Sequence, residues 1–103
     1  MKNKLLTIVE FLNKYSKPVG PGESQWCRTR DNQYIIKLFD ELKELGIKEW
    51  YVLNNDQYAD SFLFDIDIQN ISLELICELN RFYCDEMSVI EYENKLLLKL
   101  WWD

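Results

Sequence analysis

Hydrophobic positions along the chain switch between the helix and strand periods several times. Leu5, Ile8, Val9, Leu12 and Tyr15 recur at intervals of three and four, so the pattern predicts an amphipathic helix over Lys2–Tyr15, ended by Pro18. After the stretch "SKPVGPGESQWCRTRDN", Asp31 or Asn32 offers an N-cap for a second helix. Tyr34, Ile35, Leu38, Phe39, Leu42 and Leu45 line one face of that helix, and Asp40, Glu41, Lys43 and Glu44 the other. Gly46 stands where a left-handed C-cap is expected.

Beyond Gly46 the period shortens. "IKEWYVLN" is rich in β-branched and aromatic residues and reads as a strand, and "NNDQYAD" as a turn-rich connection. "SFLFDIDI" alternates, with Phe62, Phe64, Ile66 and Ile68 on one side and Leu63, Asp65 and Asp67 on the other. A third helix is expected over Asn70–Tyr83, with Ile71, Leu75, Ile76, Leu79 and Phe82 inward. "EMSVIEYENKLLLKLWWD" reads as a hairpin turning near Glu93–Lys95.

Two of these units resemble each other. A shift of 37 positions lays Tyr34, Leu38, Phe39, Leu42 and Leu45 on Ile71, Leu75, Ile76, Leu79 and Phe82. The same shift lays Trp50, Val52 and Leu53 on Met87, Val89 and Ile90, and Glu41 on Glu78. A true duplication and two amphipathic units of equal size would both give this match. The expected fold is α+β in a single domain over residues 1–103. An N-terminal helix (1–16) and a loop (17–31) precede an α-β-β-α-β-β body (32–103). Its two hairpins form a four-stranded, mostly antiparallel sheet with helices on one face.

Composition narrows the classes of function. At 103 residues, 48% of them hydrophobic, the chain suits one packed core rather than a disordered tail. No apolar run approaches the roughly 20 residues that span a bilayer. The basic, then apolar, N-terminus is interrupted by Glu10 and Asn13 and lacks a small-residue cleavage site, so a cytoplasmic protein without a membrane partner is expected. Cys27, Cys77 and Cys84 have no CxxC spacing and read as reduced thiols. The net charge is −6, and its distribution is uneven. Residues 1–30 hold six basic and two acidic side chains, whereas residues 31–103 hold six and sixteen. Such an acidic body disfavours nucleic acid as a ligand and suits a basic protein surface.

Candidate chemistry is sparse. The chain contains no histidine, which removes Ser-His-Asp and Cys-His arrangements and histidine metal sites. Arg28 and Arg30 could activate Cys27, yet Gln33 stands where a cysteine phosphatase needs its arginine. "VGPGES" lacks the following lysine and immediate helix start of a phosphate loop. Asp56, Asp60, Asp65 and Asp67 could surround a hard cation, but they lack the glycine and terminal glutamate of a calcium loop and read as a solvated acidic edge. No catalytic residue, metal or cofactor is therefore assigned.

The expectation is a non-enzymatic protein-binding domain, inhibitor- or immunity-like, that captures a basic partner. Asp56, Asp60, Asp65 and Asp67 would supply the charge and Trp101 or Trp102 an aromatic anchor. Adjacent strand residues point to opposite faces, so one sheet face cannot bury both tryptophans. The alternative is a small ligand-binding or catalytic domain. There the 23–30 loop would act as a lid, with Trp26 stacking on an anionic ligand held by Arg28 and Arg30. A homo-oligomer built through an edge strand at 95–102 is a third possibility.

Overall fold

The structure, a computed structural model, describes residues 4–14, 32–54 and 59–101. The chain opens with strand β1 (Lys4–Thr7), followed at once by helix α1 (Ile8–Lys14). The expected helix from Lys2 is thus corrected to a strand and a shorter helix. The cause is a reciprocal capping box. The Glu10 backbone N–H donates to Thr7 Oγ1 at 3.1 Å, and the Thr7 N–H donates to Glu10 Oε1 at 2.9 Å. This closure starts the helix at Ile8 and leaves the preceding residues extended. Ile8, Phe11 and Leu12 of α1 are buried.

Helix α2 (Asn32–Glu44) buries Ile35, Phe39 and Leu42 and ends at Gly46, whose φ of 113° only glycine adopts readily. Strands β2 (Ile47–Asn54) and β3 (Ala59–Ile66) follow. A short 3-10 turn (Ile68–Asn70) leads to helix α3 (Leu73–Asn80). Ser72 caps α3, its Oγ accepting from Leu75 N at 3.1 Å. Strands β4 (Glu86–Tyr92) and β5 (Lys95–Trp101) complete the fold. They are joined by Glu93 and Asn94, whose φ values of 49° and 66° make a two-residue turn of the primed kind, close to the turn expected from the sequence.

The protein is therefore α+β, with three described α-helices and a five-stranded antiparallel sheet in the order β1-β2-β3-β5-β4. The sequence predicts four of these strands; β1 is the fifth. β5 pairs with both β3 and β4, so residues 95–101 are an interior strand and not the expected edge. The outer strands are β1 and β4. No described helix is long and apolar enough to cross a membrane.

The core lies between the helices and one sheet face, centred on Trp50. Its ring meets Phe39, Phe62, Phe64 and Phe82 at centroid distances of 6.0, 5.1, 5.2 and 5.6 Å. These edge-on and tilted contacts are favourable aromatic geometries. The strand alternation of Phe62, Phe64 and Ile66 inward holds, but Leu63 on the opposite face is also buried, at 1% exposure, as is Leu97. Two residues expected inward are not: Tyr34 is 47% and Ile76 41% exposed.

The sheet carries a local two-fold relation. Val52 pairs with Phe62 and Trp50 with Phe64; correspondingly, Val89 pairs with Leu98 and Met87 with Leu100. The axis passes between the central strands β3 and β5, making β4 the counterpart of β2. The pairings are compatible with the 37-residue offset seen in the sequence, which sets β4 against β2.

Candidate functional site

Of the acidic residues singled out from the sequence, the structure describes the side chains of Asp65 and Asp67. Asp56 and Trp102 lie outside the described residues, and so does the side chain of Asp60 in β3. Asp65 is on the sheet face away from the helices, largely covered, with Lys95 Nζ 3.6 Å from Oδ2. Glu49 stands directly across from Asp65 on β2, a like-charge opposition that Lys95 offsets. Asp67 is exposed and acts locally: Asn70 Nδ2 donates to it at 2.7 Å and Gln69 N at 3.1 Å. Those hydrogen bonds, the Asn70 one foremost, hold its carboxyl below the ordinary range. Asp65 and Asp67 share an open depression with Lys48 and Lys95, so the acids there are balanced by bases.

Trp101 is half-buried on the face away from the helices, between Ser61 and Glu86 in the ladder. The lid residues Trp26, Arg28 and Arg30 lie outside the described residues. Among the described residues, no three His, Cys, Asp or Glu side chains are grouped to hold a metal ion.

The geometry draws attention to strand β4 instead. Its residues Met87, Val89 and Glu91 project to the helix-bearing face, opposite Leu100, Leu98 and Leu96. Yet Met87 and Val89 remain 41% and 49% exposed, so β4 overhangs the helical layer. Glu78 of α3 and its C-cap Arg81 share a cleft of about 420 Å³ with Tyr34, Leu38 and Glu41 of α2. Ile76, 41% exposed, and Leu73 lie on other sides of the same helix. Leu73 is 76% exposed. Met87 and Val89 make an apolar step at the sheet margin.

Charge along the β4 segment has one sign. The segment Asp85–Asn94 contains Asp85, Glu86, Glu91 and Glu93 and neither lysine nor arginine. All four acids are exposed. A sequence signal for the site existed in "DEMSVIEYE", where four acids flank Met87, Val89 and Ile90. Nothing local in the sequence placed that strand outermost.

The two margins of the sheet differ. β1 has four residues and is followed directly by α1, which packs against β1 and β2. β4 has seven residues, and no described strand or helix covers its outer side. Long uncovered margins offer unpaired backbone groups to another chain. Comparison with known proteins adds no constraint: no family model, curated protein or solved structure matches the chain.

Proposed function

We propose that the chain is a non-catalytic, cytoplasmic protein-binding domain that captures a basic partner stoichiometrically on the β4 margin. The observation that carries this reading is the exposure of Met87 and Val89 on the outer strand β4, with Glu91 on the same face and Glu86 and Glu93 elsewhere along the same segment. Desolvation of the apolar step provides the hold, and the surrounding carboxylates steer and select a cationic surface. An inhibitor or immunity-type protein that covers a basic site works in this manner. In this reading Glu91 supplies charge beside the apolar pair, while the Asp65 carboxylate is paired with Lys95.

The test is co-purification from the native cell with the tagged chain and with a Glu86→Lys, Glu91→Lys variant. A stoichiometric basic protein retained by the first and lost with the second supports the reading. Equal recovery with both, or no partner for a monodisperse bait, contradicts it.

A further inference from the structure

The outer side of β4 is the counterpart of a place that the chain fills for itself elsewhere. Across the two-fold relation between the hairpins, β4 corresponds to β2, and β1 runs along the outer side of β2 with Leu6 opposite Val52. Both of those residues are buried, whereas Val89, the equivalent of Val52, is 49% exposed. We propose that an extended basic segment of the partner adds to β4 as a sixth strand, in the place equivalent to that of β1 on β2. This inference rests on the protein-binding function proposed above and specifies how the partner is held.

Backbone geometry fixes which groups receive it. In a hairpin with a two-residue turn, the residues flanking the turn exchange both of their hydrogen bonds. Tyr92 and Lys95 flank this turn, so Tyr92, Ile90 and Ser88 direct their N–H and C=O groups to β5. Met87, Val89 and Glu91 therefore direct theirs outward. Added strands gain affinity through such groups and specificity through alternate side chains.

The register of β1 supplies the side-chain rule. On β2, Leu6 faces Val52 and Lys4 faces Asn54; carried over by 37 residues, those places fall opposite Val89 and Glu91. The incoming strand thus needs an apolar residue opposite Val89, where it covers the exposed apolar face of Met87 and Val89. Two residues earlier it needs a lysine or arginine opposite Glu91. A second copy of this chain fits poorly, because the symmetric antiparallel pairing about Val89 sets Asp85 of each copy against Glu93 of the other. Like charges so opposed are unfavourable, and each chain carries a net −6.

The probe is a nine-residue synthetic peptide of alternating lysine and valine, titrated at low ionic strength while amide hydrogen exchange is followed by NMR. The inference expects the Met87, Val89 and Glu91 amides to slow by about tenfold or more at saturation, the exchange factor of an amide sequestered about 1.4 kcal/mol more deeply. The Ser88 and Ile90 amides, already bonded to β5, keep their rates. Val89→Pro removes one outward donor and abolishes binding, while Glu91→Lys, on an exposed side chain, weakens it even if the proline variant does not fold. Peptide binding without slowing at those three amides overturns strand addition, as does full affinity in both variants. Concentration-dependent protection without peptide also overturns it, in favour of self-pairing. If the peptide fails while the native partner is still lost with the Glu86→Lys, Glu91→Lys variant, only the strand-addition inference falls. If both fail, the protein-binding function falls with it.

Discussion

Met87 holds on β4 the place that Trp50 holds on β2, yet Trp50 is fully buried and Met87 is 41% exposed. The same face of the sheet is thus core at one strand and surface at its counterpart. Trp50→Ala removes the ring at the centre of four aromatic contacts and is expected to cost about 3–5 kcal/mol. Met87→Ser is expected to cost under about 1 kcal/mol, as for surface substitutions. Urea unfolding of both variants, with unchanged slopes, checks the contrast. Equal losses would mean that β4 is covered after all.

The capping box at the head of α1 gives a second expectation. Thr7→Ala should lower stability by about 1 kcal/mol, since Glu10 N loses its acceptor. Glu10→Ala should act on the same closure, so the double variant should lose less than the two single losses added together. Strict additivity in denaturant midpoints would contradict the reciprocal arrangement.

Acid titration isolates Asp67. Its carboxyl ionises below the ordinary value of 3.8 because Asn70 and Gln69 donate to the charged form. A lowered folded value means that the unfolded chain binds the proton more readily. The contribution is therefore fully present above about pH 4 and lost as pH falls through the folded value. Asp67→Asn is expected to flatten stability against pH in that acid limb and to leave its shape near neutrality unchanged. An identical acid limb in the variant would contradict the assignment.

Thiol chemistry separates the two described cysteines. Burial, the largest influence, pushes the Cys84 thiol above its ordinary value, whereas Cys77 is exposed on α3. At pH 8, iodoacetamide should modify Cys77 well before Cys84, as read by peptide mapping. The reverse order would place Cys84 in a more open site than the fold gives it.

Much of the fold was legible because local periodicity and packing agreed. Ile35, Phe39 and Leu42 mark α2, the Phe62–Phe64–Ile66 alternation marks β3, and the Glu93–Asn94 turn closes the last hairpin. β1 was hidden because "KLLTIV" satisfies both helix and strand patterns. The decisive signal was the spacing of Thr7 and Glu10, which sets the helix start. Tyr34 and Ile76 follow the helical period but sit at the margins of their apolar stripes, where periodicity alone does not fix burial. The candidate site was the least legible part. Sheet order is a non-local property, so the sequence could not distinguish interior β5 from outer β4. Likewise, Asp65 alternates outward on β3, but only the folded hairpin brings Lys95 to it.

The central claim is that the β4 margin touches the partner, and site-specific photo-crosslinking in the native cell tests it most directly. A benzophenone side chain at position 89 should form one adduct with a single basic protein. The same group at Lys37, on the outer face of α2, should not. Absence of the adduct from position 89, or an equal yield of the same adduct from position 37, would contradict the account.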